Sequence, residues 1–182
     1  SVIHLAALIG IPYSYISPLA YIKTNVEGTY NILEASKKLN LSQIIITSTS
    51  ETYGSAIKLP MNEEHTLSGQ SPYSASKISC DFLTQSYNLS FNLPTKIVKP
   101  FNTYGPRQSP RAIIPSIILQ MLSEVKEIKL GNLSPLRDFT YVDDTVSGIL
   151  EVFNCSNLFG QITNIGMNQN YSVEEVFLKI KK

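Results

Sequence analysis

The chain has 182 residues, a formal net charge of +1 and 43% hydrophobic residues. This length suits one globular domain or a large part of one, and the near-neutral charge gives no electrostatic case for binding nucleic acid or an anionic membrane. No apolar run is long enough to span a membrane and no signal peptide is recognisable, so we expect a cytoplasmic protein. Cys80 and Cys155 are too few for a disulfide framework and lack metal-ligand spacing, so we expect no metal site.

The chain begins at Ser1 and runs directly into an apolar segment, residues 2–5, that is typical of a buried strand. A domain rarely starts in its own core, so we expect the chain to be a piece of a longer protein. The strand ends in Ala6 and Ala7, whose small side chains would let a flat ligand lie close to the backbone.

The next predicted elements are a loop over residues 8–15 and a long helix to about residue 39. Ser17 and Pro18 favour a helix start, because serine is a good N-cap and proline suits the first helical position. The expected apolar face of this helix carries Ile22, Val26, Tyr30 and Leu33.

Residues 43–47 include three consecutive isoleucines, which predict a strand covered on both faces, as in a parallel sheet. The polar cluster of residues 48–54 follows directly. Because open parallel sheets bind ligands beyond the carboxyl ends of their strands, this cluster is a candidate site. The alternative is a turn made of ordinary turn-forming residues.

A second candidate site is the predicted helix that begins at Ser71 and Pro72, with Tyr73 and Lys77 four residues apart on one face. A nearby ammonium favours the phenolate, so we expect Lys77 to lower the pKa of Tyr73. A tyrosine with a lowered pKa can take a proton from an alcohol. The alternative is an exposed helix start with an incidental tyrosine and lysine. The expected buried face of the helix carries Ala75, Ile78, Phe82 and Leu89.

The remaining pattern predicts strands at residues 95–99, 127–130 and 162–165, and helices at 113–122 and 141–153. Polar loops follow the first of these strands and fill residues 131–137. Ser172 and Glu175 form a capping-box signature that opens a last helix. Strands alternate with helices throughout, so the predicted class is α/β with a mainly parallel sheet.

The motifs occur in a fixed order along nearly the whole chain. They are His4-Leu-Ala-Ala7, Thr49-Ser-Glu51-x-Tyr-Gly54, Tyr73-x-x-x-Lys77, Asn102-x-Tyr-Gly-Pro106 and Arg137-Asp-Phe-x-Tyr-Val-Asp143. Together they resemble the extended short-chain dehydrogenase/reductase family, NAD-dependent epimerases and dehydratases that act on nucleotide-sugars.

The resemblance implies a Rossmann-like doubly wound parallel sheet that is incomplete in this chain. The family's Gly-rich phosphate-binding loop has no counterpart here, and the family usually continues beyond residue 182. Residues 1 to about 105 would be the rest of the dinucleotide-binding sheet with the catalytic residues. Residues from about 106 to 182 would begin the substrate-binding part, and we expect the chain alone to be inactive.

Roles follow from the resemblance at the matching positions. The implied catalytic residues are Thr49, Glu51, Tyr73 and Lys77, with Tyr73 as the base. The implied NAD-binding residues are Leu5, Ala6, Ala7, Thr24, Tyr73, Lys77 and Pro100. The implied substrate-binding residues are Ser50, Asn102, Arg107, Arg111 and Arg137, since arginine binds phosphate with a planar pair of donors.

Glu51 separates the possible reactions, because the family's simple 4-epimerases usually carry no carboxylate at this position. The family's 4,6-dehydratases and glucuronate decarboxylases do carry one, which could take the C5 proton once C4 is oxidised. Ser50 stands where dTDP-glucose dehydratases carry the aspartate that acts as general acid, so the acid stays unassigned.

The local sequence looks most like bacterial dehydratases of amino-sugar pathways such as that to legionaminic acid, which act on GDP-linked N-acetylglucosamine. The alternatives are a UDP-glucuronate decarboxylase, a 4-epimerase, and an inactive fragment or nucleotide-sensing relative. The family often dimerises through two helices of each subunit. Here these would be the helices that begin at Pro18 and Pro72, so we expect a homodimer at full length.

Overall fold

The computed structural model describes residues 1–123 and 125–181. The strands are β1 Val2–His4, β2 Ile44–Thr47, β3 Thr95–Pro100, β4 Asn102–Tyr104, β5 Leu136–Arg137, β6 Phe139–Tyr141, β7 Ile162–Ile165 and β8 Tyr171–Ser172. The helices are α1 Ile11–Ile16, α2 Pro18–Tyr21, α3 Gly28–Lys38, α4 Pro72–Phe91, α5 Ile113–Leu122, α6 Val142–Asn154 and α7 Val173–Lys181. A π-helical segment, Ile22–Glu27, joins α2 to α3, and a short 3-10 helix covers Ser50–Tyr53.

The first compact unit comprises residues 1–100 and 147–165 and contains a four-stranded sheet in the order β1-β2-β3-β7. All three strand pairings are parallel. The predicted α/β class with a Rossmann-like parallel sheet is therefore confirmed.

Strand β2 places isoleucines on both faces of the sheet because successive side chains of a strand alternate. Ile44 and Ile46 pack with Leu33 of α3 and Tyr87 of α4, whereas Ile45 packs on the other face with Val152 of α6. All three isoleucines are fully buried, as the run of β-branched residues predicted.

The second compact unit comprises residues 101–146 and the chain from residue 166 onward. It contains the parallel pair β4–β6, the antiparallel pair β5–β8, and helices α5 and α7. Gly105 passes so close to Val142 that a Cβ atom would lie 2.6 Å from its side chain, which explains the glycine after Tyr104. The functional division expected near residue 105 stays a prediction.

Several elements agree with the sequence pattern and others do not. The loops predicted after the strand at 95–99 and over residues 131–137 are wrong in part, because β4 and β5 form there. Helix α5 and strand β7 have the predicted bounds, and Ser172 and Glu175 form the predicted capping box with distances of 2.7 and 3.1 Å. The predicted loop over residues 8–15 is wrong in part, because α1 forms there. The predicted strand at 127–130 is also wrong, because the Gln120 side chain bonds both backbone groups of Lys129 in place of a neighbouring strand.

The predicted buried face of α4 is wrong, and that of the helix beginning at Pro18 is wrong in part. In α4, Ala75 is exposed, Ile78 is half-buried, and Phe82 and Leu89 are 58% and 81% exposed. The buried side of α4 is mostly polar. Its members are Tyr73, Ser74, Ser76, Lys77, Cys80, Asp81, Thr84 and Tyr87.

In the helix that begins at Pro18, Leu33 is buried as predicted and Val26 is half-buried, but Ile22 and Tyr30 are exposed. Asn25 and Thr29 are buried in their place. Polar groups occupy the inner face because neighbouring elements supply hydrogen-bond partners for several of them. None of the helices among the described residues is both long and apolar enough to cross a membrane.

Lys96 of β3 caps the C-terminal end of α6. Its ammonium group donates to the carbonyl oxygens of Val152, Phe153 and Cys155 at 2.8, 3.1 and 2.6 Å, and to Gln43 Oε1 at 3.0 Å. A cation suits the negative end of a helix dipole, and these contacts compensate for burying a lysine that is 1% exposed.

We predict that Lys96→Met lowers the free energy of unfolding by about 3 kcal/mol, because buried carbonyl oxygens lose their donor. Chemical denaturation of full-length protein measures the change. Lys58→Met, at an exposed position, is the matched control and should stay within about 0.5 kcal/mol of wild type. An equal, small effect of both substitutions would contradict the capping role.

Candidate active site

The N-terminal end of α4 is fixed by reciprocal hydrogen bonds. Ser74 N donates to Ser71 Oγ at 3.0 Å, and Ser71 N donates to Ser74 Oγ at 2.9 Å, with Pro72 at the start of the helix. This capping box holds the first turn of α4. Tyr73 lies in that turn, so its position is set by the backbone of the helix start.

Tyr73 and Lys77 are both buried on the inner side of α4, at 6% and 4% exposure. Lys77 Nζ donates to the Thr47 carbonyl oxygen at the end of β2, at 2.6 Å. The Tyr73 ring meets the Tyr21 ring edge-on, with centroids 6.2 Å apart. The structure thus brings the predicted tyrosine–lysine pair to the carboxyl end of a parallel strand.

The expected lowering of the Tyr73 pKa is wrong for this structure. The pKa of Tyr73 is raised to about 12; burial is the largest cause, and the charges of Glu51 and Asp81 contribute to the rise. A hydrogen bond from Thr49 acts in the opposite direction. Lys77 directs its ammonium group to Thr47, and burial lowers the pKa of Lys77 itself.

Thr49 and Glu51 lie at the start of the 3-10 helix that follows β2. Glu51 N donates to Thr49 Oγ1 at 3.2 Å, and Thr52 Oγ1 donates to the Thr49 carbonyl at 2.8 Å. Glu51 is half-buried and close enough to Tyr73 for its charge to act on the phenol, while Ser50 is buried. The polar cluster therefore places a carboxylate beside the tyrosine, and the predicted contact of Ser50 with substrate stays a prediction.

The predicted cofactor residues lie at the ends of strands β1 and β3 and on the π-helical segment. Leu5 and Ala6 are exposed and Ala7 is half-buried directly after β1. Pro100, the last residue of β3, is half-buried, and Thr24 is exposed.

Ala6 and Ala7 fit the close approach of a flat dinucleotide group, because they present small side chains directly after β1. The chain contains no Gly-rich loop for the pyrophosphate. The cofactor roles stay predictions.

Asn25 organises this end of the sheet and was missed in the sequence. Its side chain accepts from Leu8 N at 2.8 Å and donates to the Leu8 carbonyl at 3.0 Å and to Ser76 Oγ at 2.9 Å. It thereby ties the segment after β1 to α4 from a residue that is 1% exposed. The sequence pattern that could have identified Asn25 is its spacing of four residues from Tyr21 and from Thr29, which places all three on one side of a helix.

The predicted substrate residues Asn102, Arg107, Arg111 and Arg137 all belong to the second unit. Asn102 is half-buried in β4, where its N–H donates to the Asp138 carbonyl at 3.0 Å. The three arginines are exposed, and in the part of the chain described here none pairs with a carboxylate. Arg107 has a φ of 66°, a strained backbone for a residue other than glycine. Free guanidinium groups suit phosphate, but the substrate role stays a prediction.

The GDP-mannose 4,6 dehydratase family model matches residues 1–182. The chain belongs to this family. The predicted resemblance to NAD-dependent nucleotide-sugar epimerases and dehydratases is thereby confirmed.

A curated relative, the dTDP-D-glucose 4,6-dehydratase of Dictyostelium discoideum, is 35% identical over 190 residues, which cover 98% of this chain and 44% of that enzyme. The chain therefore spans about half the length of such relatives.

Solved structures of related enzymes agree. TunA, an NAD-dependent NDP-hexosamine 5,6-dehydratase of tunicamycin biosynthesis, has a TM-score of 0.91 and 30% identity, over 99% of this chain and 60% of that one. UDP-glucuronic acid 4-epimerase from Bacillus cereus, in complex with UDP-glucuronic acid and NAD, has a TM-score of 0.90 and 32% identity, over 99% and 59%. The predicted cofactor, NAD, is the one bound in the epimerase structure.

We predict that Tyr73 stays neutral at alkaline pH in NAD-free protein, because burial holds its pKa at about 12. The tyrosinate absorbance that develops between roughly pH 8 and pH 10 should therefore be the same in wild type and Tyr73→Phe. A component lost over this range in Tyr73→Phe would show that the pKa is not raised.

Proposed function

We propose that the full-length protein is a nucleotide-sugar 4,6-dehydratase that uses tightly bound NAD and acts on nucleotide-linked N-acetylglucosamine. The observation that carries the proposal is the half-buried Glu51 carboxylate beside Tyr73, at the strand end where Lys77 and Thr49 also lie. The family membership and the likeness to a hexosamine dehydratase support it.

The first step assigned to these residues is proton transfer from the sugar's 4-hydroxyl group to Tyr73. Thr49 orients that hydroxyl group, and Lys77 favours the ionised tyrosine electrostatically. A phenol with a raised pKa is a poor base, so ligand binding must lower the Tyr73 pKa before the reaction. NAD supplies the hydride acceptor for oxidation at C4, and the same hydride is returned at C6.

The second step requires a base for the proton at C5, which the new 4-keto group makes acidic. Glu51 takes this proton, the C6 hydroxyl group leaves as water, and a C5–C6 double bond forms. Because Ser50 is not an acid, we assign both transfers to Glu51, which takes the C5 proton and gives it to the leaving hydroxyl group. After hydride return to C6, C5 takes up one proton, which balances the proton that Tyr73 received from the 4-hydroxyl group. The sugar thus loses one water overall, and the cofactor would be regenerated.

A 4-epimerase is the second candidate, because the chain is similar to the Bacillus cereus UDP-glucuronic acid 4-epimerase over nearly its whole length. An epimerase needs Thr49, Tyr73 and Lys77 but has no step for Glu51. A UDP-glucuronate decarboxylase would oxidise C4 in the same way and then release carbon dioxide. The fate of the oxidised sugar therefore distinguishes these activities.

The deciding experiment is the product mass from full-length protein supplied with NAD and, in parallel, GDP- and UDP-N-acetylglucosamine, GDP-mannose, dTDP-glucose and UDP-glucuronate. We expect loss of one water from an N-acetylglucosamine nucleotide. Loss of carbon dioxide from UDP-glucuronate would establish the decarboxylase instead, and an epimer of unchanged mass, resolved by chromatography, would establish the epimerase.

In the same assay, Glu51→Gln should reduce water loss by at least about 100-fold while oxidation at C4 continues, because only the second step loses its base. Glu64→Gln, at an exposed position in the following loop, is the matched control and should react as wild type. Unchanged water loss in Glu51→Gln would remove the main support for the dehydratase.

We also propose that the full-length protein is a homodimer that pairs the helices beginning at Pro18 and Pro72. The exposed Ile22 and Tyr30 on the first helix, and Phe82 and Leu89 on α4, support this proposal. Sedimentation analysis should give twice the subunit mass, and Phe82→Glu should shift the protein to monomer. A monomeric wild-type protein would contradict the proposal.

A further inference from the structure

The polar inner face of α4 continues one turn beyond Lys77 to a buried carboxylate. Asp81 is 1% exposed, and its Oδ2 lies 3.0 Å from the ammonium nitrogen of Lys99 on β3, which is fully buried. Tyr73, Lys77 and Asp81 are spaced by four residues, so they form a row along one side of the helix. Neither Asp81 nor Lys99 belongs to the site described above.

This ion pair is expensive to bury, because both charges leave water and an apolar pair of similar volume is often at least as stable. Burial raises the pKa of Asp81, whereas Lys99 and the Ser48 hydroxyl group favour its charged form. Lys99 Nζ also lies 4.4 Å from the centre of the Tyr53 ring. The net pKa shift of Asp81 is upward, so the Lys99 ammonium at 3.0 Å is the main group that opposes protonation of this buried carboxylate.

The ionised Asp81 acts on its neighbour Lys77. Burial lowers the pKa of Lys77, and the charges of Asp81 and Cys80 oppose this effect. Other titratable groups face this cluster from neighbouring elements. They are His4 at the end of β1, Glu51 and Tyr53 on the 3-10 helix, and Tyr21 on α2. Of these groups, Asp81 is the buried carboxylate on the same helix as Lys77, one turn away.

We propose that Asp81 and Lys99 are positioning residues for the Tyr73–Lys77 pair: Asp81 keeps the buried Lys77 amine charged, and Lys99 keeps Asp81 ionised. The proposal rests on the proposed function, because a charged Lys77 matters there for ionising Tyr73. The charge of Asp81 acting directly on Tyr73 raises the Tyr73 pKa, so Asp81 assists ionisation only through Lys77. The charge arrangement itself is a property of the folded chain and can be measured without substrate.

The direct test is a ¹³C NMR titration of the lysine side chains in full-length protein, with the Lys77 signal assigned through Lys77→Met. In Asp81→Asn/Lys99→Met, which removes both charges, we expect Lys77 to titrate about one pH unit lower than in wild type. A unit charge at about 6 Å and an effective dielectric of about 20 shifts a pKa by about two units, and the lost Lys99 cation offsets part of it.

Three variants complete the test. Asp81→Asn alone should lower the Lys77 titration further, because Lys99 remains, and it serves if the double variant does not fold. Lys99→Arg keeps the positive charge beside Asp81, and Lys77 should titrate in this variant as it does in wild type. Lys96 is a buried lysine of the same strand that pairs with no carboxylate among residues 1–123 and 125–181. Lys96→Met is therefore the matched control and should leave the Lys77 titration unchanged.

An unchanged Lys77 titration in the folded Asp81 variants overturns the proposal, as does a Lys99→Arg protein that behaves like the double variant. In an active enzyme, the alkaline limb of the pH–kcat profile should move down with the Lys77 titration. A merely structural role would instead lower kcat equally at every pH. If no nucleotide-sugar is converted, the proposed function fails, while the titration still decides the charge arrangement.

Discussion

The structure depends on the contact between the polar side of α4 and the carboxyl ends of strands β2 and β3. Lys77 binds the last carbonyl of β2, and Asp81 pairs with Lys99 on β3. These contacts give buried charged groups the partners that water would otherwise supply. Hydrogen bonds and an ion pair therefore fix the position of α4 along the strands, together with apolar packing. Tyr73, at the capped start of α4, inherits its position from this contact.

The same constraint explains why both long helices of the first unit leave apolar residues outside. An inner face that carries hydroxyl, amide and charged groups has fewer positions for leucine and phenylalanine, and Phe82 and Leu89 remain exposed. The π-helical segment before α3 belongs to this arrangement, since it carries Asn25 inward, where its amide bonds the segment after β1. The polar inner faces of these helices thus both position the residues of the candidate site and leave apolar side chains on the surface.

The electrostatics of the site favour a neutral Tyr73. Tyr73 has a pKa raised to about 12 by burial, and a nearby carboxylate, Glu51, opposes its ionisation. In the proposed mechanism, positive charge and hydrogen-bond donors from the ligands lower this pKa. In the proposed dehydration, Glu51 acts as the base that removes the C5 proton once C4 is oxidised.

The sequence by itself determined the class of fold, the strand of three isoleucines, the helix caps and the family, because these depend on local patterns and ordered motifs. It misjudged the inner face of α4, the residues around Asn25 and the direction of the Tyr73 pKa shift. Those depend on which groups meet after folding. The partners of Asn25 are 17 and 51 residues away, and the burial that raises the Tyr73 pKa is produced by packing between elements. Tertiary structure alone supplied these facts, since desolvation and long-range hydrogen bonding have no local signature in the chain.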